Sequence, residues 1–162
     1  MVGCAFTPPV DTPRDNARCE QAIRCRTTLP AWIAFDAHVF LTICTPYPGV
    51  DLLCRDDRAA QLWETVVYRE YLGHWRWHAG VIMPDHLHLL LWLPDVRTLT
   101  SIVRDWKRYA ARHIGVVWQP DYFDRRLRRD ESLTAKIEYI RQNPVRAGLV
   151  SRPEDWRYLW VR

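Results

Sequence analysis

The sequence lacks the features that would place it in a membrane, outside the cell or among disordered chains. Crossing a bilayer takes about 20 consecutive apolar residues, and the longest largely apolar run here, Leu87 to Leu93 with His88 inside it, is far shorter. The first residues, Met1-Val2-Gly3-Cys4-Ala5-Phe6, show no basic stretch followed by an apolar core, so no secretory signal is expected. Cysteine is sparse and odd in number. Cys4, Cys19, Cys25, Cys44 and Cys54 have no paired metal-type spacing, and free thiols in a reducing cytoplasm account for them. Disorder is excluded by what is present: 48% of the 162 residues are hydrophobic, 12% are aromatic and 9 are tryptophan, enough for one domain with a proper core.

Charge is unevenly placed. Residues 1–96 hold 8 Lys/Arg against 11 Asp/Glu, a balance of −3, whereas residues 97–162 hold 15 against 8, a balance of +7. A basic second half beside a near-neutral remainder suits a polyanion docking on one side. An ordinary solvated arginine surface is the alternative.

Residues 1–35, with Pro8-Pro9, Pro13 and Pro30 and little periodicity, are expected to be a poorly ordered leader before a domain over 36–162. Ala37 to Thr45 is β-branched and aromatic and predicts a strand, ended by Pro46-Tyr47-Pro48-Gly49. From Asp56 to Leu72, Ala60, Leu62, Trp63, Val66, Val67 and Tyr68 recur at helical spacing, closed by Gly73. His74 to Met83 predicts a second strand, turned by Pro84-Asp85 into a third that begins at His86. A second helix spans roughly Thr98 to His113, with Leu99, Ile102, Val103, Trp106, Tyr109 and Ala110 facing inward. Val116-Val117-Trp118 suggests a short strand, and Pro120 to Asp130 a loop. Glu131 to Gln142 predicts a third helix stopped by Asn143-Pro144, because proline disfavours helical geometry in the residue before it. Trp156, Tyr158 and Trp160 are expected to pack back onto the body. The order strand, helix, strand, strand, helix, strand is that of an α+β, ferredoxin-like (split βαβ) sandwich, whose antiparallel sheet carries helices on one face and offers the other to a substrate. Many activities use that fold, so function rests on the site.

The most informative stretch is Met83-Pro84-Asp85-His86-Leu87-His88-Leu89-Leu90-Leu91-Trp92. Strand side chains alternate, so His86 and His88 share a face while Leu87 enters the opposite layer. Two imidazoles on a rigid element make half of a metal site; two hydrogen-bonded or solvated histidines at a strand end are the bland alternative. The third helix contains Lys136-Ile137-Glu138-Tyr139-Ile140-Arg141-Gln142-Asn143-Pro144. Tyr139 and Asn143 stand one turn apart on one face, about 6 Å along the axis, with Ile137 and Ile140 on the packing side. A tyrosine there is a candidate nucleophile, and an Asn carbonyl a candidate ligand for a hard cation, with Gln142 in reserve. An interface tyrosine and a helix-ending Asn-Pro are the ordinary readings. Arg104, Arg108 and Arg112, spaced by four with Lys107 beside them, form a basic stripe. Arg125, Arg126, Arg128 and Arg129 follow the aromatics Trp118, Tyr122 and Phe123. Cations interleaved with aromatic platforms suit single-stranded or hairpin nucleic acid. Tyr109 reads as core, and Tyr122-Phe123 as packing or base-stacking residues.

Three segments, Val81 to Leu90, Val117 to Asp124 and Tyr139 to Val150, resemble the single-tyrosine transposases of the HUH (histidine–hydrophobic–histidine) class, most nearly those associated with repetitive extragenic palindromes (REPs). The likeness covers about residues 36–158. It implies DNA strand cleavage, with Tyr139 as nucleophile and His86, His88 and Asn143 holding Mg²⁺ or Mn²⁺. The implied partner is single-stranded or hairpin DNA and the implied setting the nucleoid of a bacterial cytoplasm. A monomer would use its own Tyr139, and a homodimer could exchange helices. In-line attack would leave a 5′-phosphotyrosine and a free 3′-hydroxyl. Two other classes compete: a non-catalytic, domesticated DNA-binding protein of the same fold, and a zinc hydrolase, which lacks a third ligand of the usual kind and a nearby general base.

Overall fold

The structure is a computed structural model and describes residues 36–55, 57–128 and 131–162. The leader over 1–35 and Arg129 lie outside the described residues. The elements are β1 (Ala37–Cys44), α1 (Arg58–Tyr71), β2 (Arg76–Ile82), β3 (His86–Leu93), α2 (Leu99–His113), β4 (Phe123–Arg126), α3 (Leu133–Arg146) and β5 (Leu159–Val161). The strands form one sheet in the order β4-β1-β3-β2-β5, antiparallel at every pairing. The first four strands have the ferredoxin-like arrangement, so the expected α+β class holds; α3 and β5 are additions. No helix among the described residues is long and apolar enough to cross a membrane.

Alternation along the central strands divides the domain into two layers. On the far face, Val39, Leu41 and Ile43 of β1 and Leu87, Leu89, Leu91 and Leu93 of β3 pack against Leu62, Trp63 and Val66 of α1 and Ile102, Val103 and Trp106 of α2. On the near face a smaller cluster of Phe40, Ala79, Val81, Met83 and Leu90 receives Ile140 of α3. The leucine run of β3 is apolar on both sides because it is covered on both sides.

Tryptophans tie the far layer together. The Trp106 indole N–H donates to Thr65 Oγ1 at 2.6 Å, joining α2 to α1, and that of Trp75 donates to the Val66 carbonyl at 3.0 Å. Trp63 stacks on Trp160 with centroids 4.2 Å apart. Gly80 makes room for it, since a Cβ there would sit 2.5 Å from the Trp63 ring. The C-terminal aromatics do pack back: Trp156 donates to the Ile82 carbonyl and Tyr158 to that of Cys54.

Several local expectations fail for identifiable reasons. Val116–Trp118 is not a strand; Trp118 instead packs on Trp106 with ring centroids 5.5 Å apart. The fourth strand is Phe123–Arg126, inside the stretch read as loop, where the open edge of β1 recruits a polar tetrapeptide with no apolar alternation of its own. α3 does not stop at Asn143 but runs through Pro144 to Arg146. It ends where Gly148 takes φ 69°, with Leu149 N–H donating to the Pro144 carbonyl and Gly148 N–H to that of Val145, a Schellman closure. Tyr109, expected inside, is 46% exposed, and Ala60, Val67 and Tyr68 of α1 also face solvent. Cys54 is a free thiol, pushed up to about 12 by burial and then by Asp51 and Asp85; Cys44 is disulfide-bonded, contrary to the expectation of free thiols.

Candidate catalytic site

The histidine pair opens β3 on the near face. The ring centroids of His86 and His88 lie 4.8 Å apart at 70°. His88 is buried, stacks on Phe40 at 5.1 Å, and has Nδ1 2.8 Å from Thr42 Oγ1, the residue directly opposite it on β1. His86 Nδ1 lies 2.6 Å from Asp85 Oδ1. A carboxylate can only accept, so His86 carries its proton on Nδ1 and turns its lone pair to Nε2. Thr42 Oγ1, which can donate or accept, holds the His88 ring in place through Nδ1. Such outer partners orient histidine ligands.

Asp85 also fixes the loop above. Its second oxygen accepts the Gly49 N–H at 2.6 Å and its carbonyl accepts that of Thr45, while Leu52 and Leu53 donate to the Pro84 carbonyl. Burial alone would raise this carboxyl. The bonds from His86 and Gly49 outweigh it and hold Asp85 below its ordinary range.

α3 crosses the near face and brings the other pair of residues. Ser132 caps it by accepting the Ala135 N–H, and Ile140, with Ile137 and Leu133 beside it, seats the helix on the small core. Tyr139 meets Phe40 edge-on at 5.7 Å and lies 6.3 Å from His88, centroid to centroid. Two cations attend its ring, Arg146 at 5.0 Å and Lys136 at 5.3 Å; Lys136 also lies 5.2 Å from the Phe40 centroid. Asn143, one turn on, is 5% exposed and donates Nδ2 to the Tyr139 carbonyl at 2.8 Å, so Oδ1 is the atom it could offer a cation. Gln142 is held by Glu138 at the helix surface.

Among the described residues no three His, Cys, Asp or Glu side chains converge as in a zinc site. The available donors are instead two imidazoles and an amide oxygen. That mixed nitrogen and oxygen set fits a divalent cation that keeps part of its water shell.

The basic residues are divided between the layers. Arg104, Arg108 and Arg112 are exposed on α2, on the far face, and Asp105 pairs with the first two. Lys107 leaves the exposed stripe: its ammonium donates to the carbonyls of Gln119, Pro120 and Asp121, and burial lowers its pKa. Trp118 and Tyr122 pack against the far-face core, and Tyr122 donates its hydroxyl to Thr100 Oγ1 at 3.1 Å. Arg125 pairs in register with Phe40 and so shares the near face, ion-paired to Glu131 at 2.7 Å. Arg126 pairs with Val39, on the other side, and reaches the Asp36 carbonyl. Arg128 is exposed, its backbone N–H held by Glu131.

The sequence reading missed Thr42, Phe40, Asp85, Lys136 and Arg146. Asp85 had a signal, since it precedes a candidate ligand directly. Thr42 and Phe40 become visible only through the β1–β3 register.

Known proteins bear on this arrangement. No family model matches the chain. A REP-associated tyrosine transposase of Escherichia coli (strain K12) is 29% identical over 84 residues, covering 50% of this chain and 51% of that protein. A Haemophilus influenzae protein named for the same group is 30% identical over 111 residues, covering 56% of this chain and 62% of that one. The chain therefore matches only about half the length of the first of these relatives. The solved structure of a REP-associated tyrosine transposase bound to a REP hairpin superimposes with TM-score 0.68 at 22% identity, over 81% of this chain and 79% of the other. The chain is thus similar in sequence to REP-associated tyrosine transposases and shares the fold of one of them.

Proposed function

We propose that this protein cuts and rejoins single-stranded DNA beside palindromic hairpins, with Tyr139 as the nucleophile and His86, His88 and Asn143 holding Mg²⁺ or Mn²⁺. The observation that carries the reading is the juxtaposition, across the near face, of Tyr139 on α3 with His88 of the β3 pair, ring centroids 6.3 Å apart. Packing of Ile140 against the small near-face core seats the helix so that its one tyrosine faces His88. A divalent cation at these ligands would supply charge stabilisation to the nonbridging phosphate oxygens and the leaving 3′ oxygen.

The protein's own groups account for the remaining demands. Phenol titrates near pH 10 and is a weak nucleophile when protonated. Arg146 and Lys136, 5.0 and 5.3 Å from its ring centroid, are the cations nearest at hand. Attack of Tyr139 Oη on phosphorus forms a 5′-phosphotyrosine and breaks the bond to the 3′ oxygen, which leaves as a 3′-hydroxyl. One phosphodiester replaces another, so a 3′-hydroxyl reverses the step without an external energy source. Arg104, Arg108 and Arg112, on the other face, supply longer-range attraction to DNA. The setting is the nucleoid of a bacterial cytoplasm.

The test is incubation of a labelled palindromic strand with the protein and Mn²⁺, followed by a denaturing gel. The expected result is a protein–DNA adduct that Tyr139→Phe abolishes while hairpin binding survives. Binding by the unaltered protein with no adduct would replace this reading by that of a non-catalytic DNA-binding protein.

A further inference from the structure

The near face contains more than the tyrosine and its histidines. Phe123, on the edge strand β4, pairs directly with Thr42, and Thr42 pairs directly with His88. Residues opposite one another in an antiparallel ladder project from the same face. The Phe123 ring therefore stands on the near face in line with the histidine pair, two strand spacings or about 10 Å away. It is 39% exposed, although β1 beside it is almost wholly buried. Its sequence neighbour Tyr122 turns the other way, into the far-face core, with its hydroxyl on Thr100.

Two cations occupy the ground between Phe123 and Tyr139. Arg125 lies opposite Phe40 in the ladder, and Lys136 reaches from α3 to 5.2 Å from the same ring. Phe40 itself is buried and already packed by His88 and Tyr139, so it forms the floor of this space. An exposed aromatic, then two cations over an apolar floor, then the tyrosine is a sequence of groups matched to a base, its phosphates and a point of attack. Stacking accepts any base, and phosphates require only cations, so the surface suits a single strand.

We propose that a single-stranded DNA arm runs over the near face from β4 to α3, with Phe123 stacking a base that flanks the scissile phosphate and Arg125 and Lys136 taking backbone phosphates between it and Tyr139. This rests on the cleavage reading and adds the path of the strand. It assigns the aromatic platform to Phe123 and withdraws that role from Tyr122 and Trp118, which serve the core. Glu131, which holds Arg125 in the absence of DNA, is displaced or shared when a phosphate arrives.

The test uses the full chain carrying Tyr139→Phe, so that no cleavage adduct obscures the result. The probe is a palindromic DNA hairpin with single-stranded arms containing 5-iododeoxyuridine. Ultraviolet cross-linking and peptide mapping should place the photoadduct on Phe123. Phe123→Ala should abolish that adduct and weaken binding by about 5- to 100-fold, the range for losing a base-stacking aromatic, and Phe123→Trp should restore both. Arg125→Gln and Lys136→Gln should each lower the slope of log affinity against log salt by about one. A photoadduct on Tyr122 or Trp118, or unchanged binding by Phe123→Ala, would overturn the path. Cross-linking at Phe123 without any Tyr139 adduct in the unaltered protein would sink the cleavage reading and leave the path standing. A hairpin that does not bind at all would remove both.

Discussion

The two faces of this sheet are built to different ends. The far face is thick: two helices, a continuous set of leucines and the tryptophans at 63, 75 and 106, each with its ring packed or its N–H satisfied. The near face has one helix, a cluster of six fully packed residues, and polar groups where apolar ones would be more stable: His88, Asp85 and Asn143 are all buried. Burying such groups costs stability unless every one is hydrogen-bonded, and here Thr42, Gly49, His86 and the Tyr139 carbonyl provide the bonds. Stability concentrated on one layer allows the other to hold chemistry.

The sharpest way to break that division is on the far face. Trp106→Ala removes a fully buried ring and the bond to Thr65, and should cost about 3–5 kcal/mol, read from the denaturant midpoint. Folded Trp106→Ala protein kept below its melting temperature should still form the Tyr139 adduct. Loss of adduct from fully folded protein would mean that the layers are coupled.

On the near face the balance reverses. Asp85→Asn keeps the size of the side chain but removes the carboxylate that fixes the His86 tautomer. Mn²⁺ affinity, measured by calorimetry or by spin resonance of the free ion, should fall about 10- to 100-fold. The change in melting temperature should be small beside that of Trp106→Ala. A variant that bound Mn²⁺ as tightly as the unaltered protein would remove Asp85 from the site.

How much of this division was legible beforehand depends on the range of each signal. Alternation at the start of β3 separated His86 and His88 from Leu87, because period two is a local property of the chain. The histidine pair and the Tyr139–Asn143 spacing were equally local and were found. β4 was missed because Phe-Asp-Arg-Arg has no pattern of its own and becomes a strand only on the edge of β1. The end of α3 was misplaced because a proline in the last turn loses a single helical bond, and packing of Ile140 together with the Gly148 closure offsets it. Tyr109 was assigned to the interior from its helical phase alone, but the apolar stripe that α1 covers is narrower than the apolar stripe in the sequence.

Acid provides a gentler probe of the same difference. The folded-state pKa of Asp85 is depressed, so its contribution to stability is present above the ordinary carboxylate value, near 4, and is lost as pH falls through the folded-state value. Denaturant midpoints of the unaltered protein should therefore decline more steeply on acidification than those of Asp85→Asn. Parallel curves would show that the bonds from His86 and Gly49 do not stabilise the ionised form.

The smallest effect is expected where the charge pattern was most conspicuous. Arg104, Arg108 and Arg112 are the most regular basic feature of the sequence, yet α2 places them on the face away from Tyr139, and Asp105 partly neutralises two of them. Screening falls off over about 8 Å at physiological salt, less than the thickness of the layers between α2 and α3. Replacing all three by Gln should slow association with the hairpin at low salt. At saturating DNA and physiological salt it should change the rate of Tyr139 adduct formation by less than about twofold, since only charges within a screening length act on the bound phosphate. A tenfold fall in that saturated rate would mean that the DNA wraps onto both faces, and the separation of a structural layer from a chemical one would no longer hold.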